Sequence, residues 1–398
     1  MSRGIKISLV DINKSKYEFE PDVENNQILF GLKALSNVNA AAIEAIEAGR
    51  PYKSITDFMN RCPLNKTAMI SLIKGGAFDN IDREWSKDFC DEPRLATMMY
   101  YISKVSEPKN KLTLQNFNGL VNSNLIPQEL NFEKEVFFFN KYLKTMKMGI
   151  YYRIDEKAAE FYAKHFDPEF LEVIGGNICI PQTIWDNLYK KIMDSVRTWL
   201  KTNQESALKA YNAFLFKELW DKYADGSISA WEMDSLCFYY HEHELANVDT
   251  AQYGISDFSK LPTTPEVDYF FKRNGKDIPI YKTHKIIGTV ISKNDNKSTI
   301  TLLTPNGIAT VKFTREYYAM FGKQISEKQA DGTKKVKEKG WFTRGTKVMV
   351  TGFRRDDMFV AKTYKSTSSH QLYKITKVDE YGNMELTHER YEVNNGEV

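Results

Sequence analysis

Residues 28–79 read ILFGLKALSNVNAAAIEAIEAGRPYKSITDFMNRCPLNKTAMISLIKGGAFD. They contain one pattern twice. Leu32, Leu35 and Val38 lead into the turn SNVN, after which Ala42, Ile43 and Ile46 recur at helical spacing on one face. The second copy places Ile55 and Phe58 before a break at Pro63, then Met69, Leu72 and Ile73, and Gly75 with Gly76 end the helix. Each copy reads as a helix, a tight turn and a second helix. Such a turn leaves the first N–H groups of the second helix without internal partners. Those donors and the positive end of the helix dipole suit a phosphate oxygen, and contacts of this kind carry no base identity. The turn needs residues that tolerate positive φ, and Asn37 and Asn39 fill that need where glycine is usual. A plain pair of helices packing a core fits the same pattern.

Length and composition bound the reading around this stretch. A chain of 398 residues accommodates two to four domains. Hydrophobic content of 42% and charged content of 27% are those of an ordinary globular protein, and a net charge of +3 is too small to name a partner. Cys62, Cys90, Cys179 and Cys237 form no C-x-x-C pair, so neither a zinc site nor a disulfide framework is expected, and the thiols suit a reducing, cytosol-like compartment. No run reaches the roughly 18 apolar residues of a membrane span, and the N-terminus lacks a signal-peptide pattern.

Outward from the repeat, residues 1–27 read as an extended segment in which Ile5, Ile7 and Leu9 alternate. The start is abrupt, like the interior of a larger fold. The repeat and its following helix occupy 28–104, and the polar stretch Glu107 to Lys111 reads as a break. Residues 105–250 predict a helical domain, with FEKEVFFFNKYLKTM, IWDNLYKKIMDSVRTWLKT and SALKAYNAFLFKELWDKYA as amphipathic runs. Its aromatics, among them Phe139, Trp185 and Trp220, fall at helical spacing and predict core. His241, Glu242, His243 and Glu244 form the one histidine and carboxylate cluster, but neighbours on a helix point apart and H-E-x-x-H is absent, so no metal site is assigned.

A prolyl stretch, 251–281, predicts a linker, and from Lys282 the period becomes alternating. About five short strands with a helical excursion near Tyr317 to Phe321 predict a small OB-type barrel over 282–366. Residues 367–398 predict a hairpin around Tyr381-Gly382-Asn383 and a disordered tail. Lys312, Arg315, Arg344, Lys347, Arg354 and Arg355 sit in the barrel section with Phe313, Tyr317, Tyr318, Trp341, Phe342 and Phe353 among them. Cations track a phosphate backbone while aromatic faces stack bases, a combination that suits single-stranded nucleic acid. The run Lys334 to Gly345 fits either a basic clamping loop or a solvated insertion. The expected architecture is multidomain α+β: a helical N-terminal half with a tandem helix-hairpin-helix, a central helical block and a C-terminal OB-type β-barrel.

The stretches GIKISLVDINKSKYEFE, FGLKALSNVNAAAIEAI and NKTAMISLIKGGAFD resemble the region that follows the catalytic core in the bacterial DNA polymerase III alpha subunit. WEMDSLCFYYHEHEL is similar to that family's segment before its OB domain, with Cys237 in place of a glycine and Glu244 in place of a proline. The block 132–225 has no counterpart in the resemblance. The resemblance implies DNA-binding positions at Asn37, Val38, Asn39, Lys66, Lys74, Gly75 and Gly76 for duplex, with the six barrel cations for single-stranded template. It assigns residues 1–27 to the polymerase core and places catalytic aspartates and their Mg2+ ions in a palm domain before Met1. No D-x-D pair occurs here, and Asp356-Asp357 lies in a charged turn, so the chain itself is expected to hold no catalytic residue, metal or cofactor. The implied partners are double- and single-stranded DNA, a catalytic fragment and a sliding clamp, for which Gln371-Leu372-Tyr373-Lys374-Ile375 is the nearest peptide. Lys374 stands where that peptide would be apolar, and an edge strand fits the stretch as well. A cytoplasmic site in a bacterium or a phage-infected host follows, with a truncated or split polymerase gene as its source. A stand-alone replication or repair accessory protein remains the alternative.

Overall fold

A computed structural model describes residues 6–81, 92–146, 150–328, 334–362 and 370–390. Ile5 and the tail 391–398 therefore lie outside the described residues. The chain divides into two compact units, one of residues 1–98 with 226–398 and the other of residues 99–225.

The first unit begins with a small sheet of β1 (Lys6–Ile7), β2 (Glu20–Asp22) and β3 (Gln27–Leu29), in which β3 lies between the others and runs parallel to β1. Val10 and Ile12 are buried, and Ile12 N–H donates to the Ala77 carbonyl at 2.9 Å, so this segment packs on the helices that follow. A 3-10 turn (Leu32–Ala34) and α1 (Ala40–Ala48) form one hairpin; α2 (Ile55–Arg61) and α3 (Lys66–Lys74) form the next. Helix α4 (Pro93–Val105) carries the chain into the second unit.

That unit is not wholly helical. α5 (Phe117–Asn122) and α6 (Asn131–Tyr142) are followed by β4 (Lys144–Thr145), β5 (Tyr151–Ile154), α7 (Glu156–His165), β6 (Glu172–Ile174) and β7 (Asn177–Pro181). The four strands form an antiparallel sheet in the order β4-β5-β7-β6, and Gly175 and Gly176, both at positive φ, make the two-residue turn between β6 and β7. The long helices α8 (Gln182–Thr202) and α9 (Gln204–Tyr223) complete the unit. Phe139 and Trp185 are buried in its core as their spacing predicts, and Trp199 and Phe214 pack against it.

The chain returns to the first unit in α10 (Ile228–Leu236), which packs on α3. The short α11 (Thr250–Tyr253) and a hairpin of β8 (Val267–Arg273) and β9 (Lys276–Tyr281) occupy the stretch expected as a linker. Five strands then close a barrel: β10 (His284–Asn294), β11 (Thr299–Thr304), β12 (Gly307–Lys312) and, after α12 (Arg315–Gly322) and the hairpin β13 (Ile325–Lys328) with β14 (Lys334–Glu338), β15 (Lys347–Arg355) and β16 (Met358–Ala361). The neighbours run β10-β11-β12-β16-β15, and β15 pairs back to β10. The β12–β16 pairing is parallel and the rest are antiparallel, with α12 after the third strand. This is the OB-type barrel the alternation predicts. A last hairpin, β17 (Leu372–Val378) and β18 (Met384–Thr387), adds to the edge of β15.

Glu232 of α10 is fully buried and joins the parts of the first unit. Its carboxylate accepts from Arg94 Nη1 at 2.9 Å and from the Tyr240 and His241 backbone N–H groups, each at 2.9 Å. Arg94, itself buried, also donates to Asp79 Oδ2 at 2.7 Å and to the Lys74 carbonyl at 3.3 Å. Removing one partner of a buried pair strands the other charge. Arg94→Met should therefore cost roughly 3–5 kcal/mol of stability, read as a lowered urea midpoint; an unshifted midpoint would show that the pair does not hold the unit together.

Candidate nucleic-acid interface

The first hairpin is anchored from behind and open in front. Leu35 and Val38 are buried, and Ser36 N–H donates to the Ser235 carbonyl of α10 at 2.9 Å. Asn37 lies at φ 61, the left-handed region the turn requires, while Asn39 is extended and caps α1, its side chain accepting from Ala42 N–H at 2.9 Å. So one asparagine makes the turn and the other makes the cap. Asn37, Asn39, Ala40 and Ala41 are exposed, and the N–H groups of Asn37 through Ala41 find no acceptor among the described residues. No acid stands in the first turn of α1, and its small side chains let a phosphate approach the backbone.

The second hairpin repeats the cap. Asn65 accepts from Ala68 N–H and from the Thr67 hydroxyl, both at 2.9 Å, at the start of a helix that likewise lacks an acid in its first turn. Lys66 is half-buried beside exposed Thr67. The shared N-x-x-A spacing of Asn39 to Ala42 and Asn65 to Ala68 marks both helix starts in sequence; it adds Ala40, Ala41, Asn65 and Thr67 to the candidate positions.

Lys74, Gly75 and Gly76 lie elsewhere. Lys74 is only 8% exposed and its ammonium pairs with Asp234 at 2.7 Å. A Cβ on Gly75 would meet Leu35 and Ser235 at 2.8 and 3.2 Å, and one on Gly76, at φ +83, would meet Arg94 and Asp79 at 2.6 and 2.8 Å. These two glycines admit close packing of α3 on its neighbours, and both are buried away from any phosphate.

The barrel residues separate in the same way. Arg354 donates to the carbonyls of Phe258, Ser259 and Leu261 at 3.1–3.2 Å and lies 4.8 Å from the Phe258 ring, so it fastens the approaching chain to the barrel. Lys347 pairs with Glu244 at 2.8 Å. Arg344 is exposed, with Nη1 2.9 Å from Cys237 Sγ and Nε donating to the Ile291 carbonyl at 3.2 Å. Lys312 reaches the Lys297 carbonyl, and exposed Arg315 opens α12 three residues later, so Lys297, Lys312 and Arg315 gather at one end of the barrel. Arg355 is exposed beside the rings of Tyr281 and Phe353. The aromatics expected to stack bases do not face solvent: Phe313, Tyr318, Trp341 and Phe342 are buried in the barrel core with Tyr317 packed against them, and Phe353 is buried beside the Tyr281 ring at 4.8 Å. Phe313, Tyr317, Tyr318, Trp341 and Phe342 belong to α12 and to the segments between strands, which fold these rings onto the barrel core.

The histidine cluster is spread over separate partners. His241 Nδ1 lies 2.6 Å from Glu232, Glu244 holds Lys347 and the Tyr239 hydroxyl, and among the described residues no three His, Cys, Asp or Glu side chains converge on a point. Cys237 ends α10 in the left-handed conformation, φ 66, which explains why the resembling segment has glycine there. Gln371 to Ile375 is neither a free peptide nor an edge: β17 lies between β15 and β18, with Gln371, Leu372 and Ile375 buried.

Comparison with known proteins meets this geometry at the hairpins. A family model described as a helix-hairpin-helix motif matches residues 4–87, a span that includes the extended segment before the first hairpin. A DNA-directed DNA polymerase of Bacillus phage SPbeta and a probable DNA polymerase of Bacillus subtilis are each 40% identical over 404 residues, covering 98% of this chain and 30% of theirs. The DNA polymerase III alpha subunit of Thermus aquaticus is 43% identical over 83 residues, 19% of this chain and 7% of that protein. The chain carries a helix-hairpin-helix domain and is homologous to the C-terminal region of the DNA polymerase III alpha subunit. It spans 30% of the length of the two Bacillus relatives. Within this polymerase region no described helix is long and apolar enough to cross a membrane.

His243 lies on the strap between α10 and the barrel, in a setting that favours its neutral form. Its Nδ1 accepts from Leu245 N–H at 3.0 Å and its Nε2 lies 2.9 Å from the Leu303 carbonyl, an arrangement that suits the neutral ring. Burial holds its pKa below the ordinary value, with Lys347 acting in the same direction while the Leu303 carbonyl and Glu244 oppose. The unfolded chain binds the proton more readily, so this contribution is present above about pH 6.5 and is lost as pH falls toward the folded pKa. His243→Gln should flatten the fall of melting temperature between about pH 7 and 5; an unchanged slope would assign the loss to other groups.

Proposed function

We propose that this chain is the DNA-holding portion of a replicative polymerase of the DNA polymerase III alpha kind. Its tandem hairpins grip duplex behind the primer end and its barrel tracks the single-stranded template. Nucleotidyl transfer, with its carboxylates and Mg2+ ions, belongs to a part outside these residues, either a separate polypeptide or a preceding domain of the same one. The observation that carries this reading is the turn at Asn37 to Ala41: a capped helix start with open N–H groups, small side chains and no acid in its first turn. Lys66 and Thr67 offer a second contact one hairpin on. At the barrel, the exposed Lys297, Arg315, Arg344 and Arg355, with half-buried Lys312, are the cations assigned to phosphate, whereas Lys74 and Lys347 are drawn into carboxylate pairs and Arg354 into three backbone carbonyls. Work at a replication fork implies the cytoplasm of a bacterium or of an infected host. The sliding clamp is not assigned a peptide in this chain.

The deciding experiment is primer extension by this chain alone and with a polypeptide carrying the polymerase core, with DNA binding followed in parallel. Extension that rises only in the mixture supports the reading. Duplex binding with no effect on extension in either tube would instead make this a stand-alone accessory protein. Replacing Asn37 and Asn39 with leucine should weaken duplex binding in a folded variant. Replacing Lys312 and Arg315 with glutamine should lower the salt slope of single-strand binding by about 1.4, or about 0.7 per phosphate contact. Retained duplex affinity in the first variant would reduce the hairpin to a structural element.

A further inference from the structure

The β8–β9 hairpin stands out of the first unit with both strands largely uncovered. Tyr269, Phe270 and Phe271 are 55%, 63% and 53% exposed, and no described aromatic ring packs against them. A two-stranded ribbon with so much apolar surface has little reason to stay uncovered in water. Its two faces differ in charge. Pairing sets Tyr269 opposite Ile280, Phe271 opposite Ile278 and Arg273 opposite Lys276, so one face carries two aromatics, two isoleucines and, at the Asn274-Gly275 turn, two cations directly opposed. On the other face Lys272 lies opposite Asp277, a balanced pair, and at the root Lys282 lies 3.6 Å from Glu266. Like charges paired across a ladder repel, which leaves the first face in need of an anion.

The root of the ribbon lies against the barrel. Tyr281, its last residue, is 4.8 Å from the Phe353 ring, and the exposed Arg355 guanidinium lies 5.5 Å from the Tyr281 ring, at the turn between β15 and β16. In OB-type barrels the loop joining the last two strands borders the oligonucleotide path. The apolar face and its cationic tip therefore continue from a position where a strand would leave the barrel.

We infer that the β8–β9 hairpin is a single-strand arm. Unpaired bases stack on Tyr269 and Phe271 while Arg273 and Lys276 hold the intervening phosphates. Stacking needs an exposed base face, which duplex DNA does not offer, and the opposed cations match a phosphate backbone better than an uncharged protein surface. The choice of DNA rests on the function proposed above; the aromatic and cationic face is independent of it.

The test is fluorescence anisotropy of the full chain with a labelled oligothymidylate and, separately, with a blunt duplex. Tyr269→Ala with Phe271→Ala should weaken oligothymidylate binding by roughly ten-fold or more. Arg273→Gln with Lys276→Gln should lower the salt slope by about 1.4, at about 0.7 per phosphate. Both variants should keep the melting temperature, because the residues are exposed, and both should keep duplex binding, which belongs to the helix-hairpin-helix turns. Variants that bind oligothymidylate as the parent does would overturn the arm while leaving the proposed function standing. If those same variants also fail to support primer extension in the mixture, the ribbon docks on protein instead. Loss of duplex binding on replacing Asn37 and Asn39, with the arm's effects intact, would separate the two sites. A parent chain that binds no single strand would overturn the arm and the barrel's single-strand role together, while duplex binding would still report on the hairpins.

Discussion

The carboxylate of Glu232, wholly out of solvent, is met by the Arg94 guanidinium and by the Tyr240 and His241 N–H groups. A buried carboxylate is costly unless it is answered by charge and hydrogen bonds. Glu232 is answered by residues from both directions along the chain. Arg94 ties it to the end of the second hairpin through Asp79 and the Lys74 carbonyl, and the strap after α10 wraps its other oxygen. The hairpins, α10 and the strap are held in one arrangement by the requirement that a single buried charge be satisfied.

That arrangement extends to the barrel through the same strap. Two residues past the wrapped N–H groups, His243 lies against the Leu303 carbonyl of β11, and Glu244 pairs with Lys347 of β15 while taking a hydrogen bond from Tyr239. The Tyr239 hydroxyl meets Thr289 at 2.8 Å, and burial raises its pKa so that it stays protonated and able to donate. The segment that resembles the family's approach to its OB domain is thus a tether with side chains committed at both ends. His241, His243 and Glu244 of this segment are each directed at a different partner, Glu232, the Leu303 carbonyl and Lys347.

Cations were the least legible feature of the candidate surface. Lys74, Lys347 and Arg354 look like phosphate ligands in sequence, yet each reaches an acceptor within its own fold. Long basic side chains can lie along apolar surface and deliver their charge inward as readily as outward, so a count of lysines and arginines does not locate a patch. The barrel aromatics were misjudged for a related reason: Phe313, Tyr317, Tyr318, Trp341 and Phe342 lie in α12 and between strands, where no alternation tells which rings fold onto the core. Strands were missed in the second unit because β4 to β7 are two to five residues long and sit between strongly amphipathic helices, although the Gly175-Gly176 turn was a hairpin signal. Asn274-Gly275 was a similar signal within the supposed linker.

What the sequence determined by itself is local and periodic: two helix starts marked by asparagine caps, the left-handed turn at Asn37, and the change to alternation that builds a five-stranded barrel. Those features depend on residues within one turn or one strand of each other, and their physics is complete at that range. Tertiary structure alone decided which cations are committed, which aromatics are core, and that the ribbon from Val267 to Tyr281 stands uncovered. The commitments of cations depend on partners far away in the chain, Lys74 on Asp234 and Arg94 on Glu232 among them, and no local pattern encodes a contact made across more than a hundred residues.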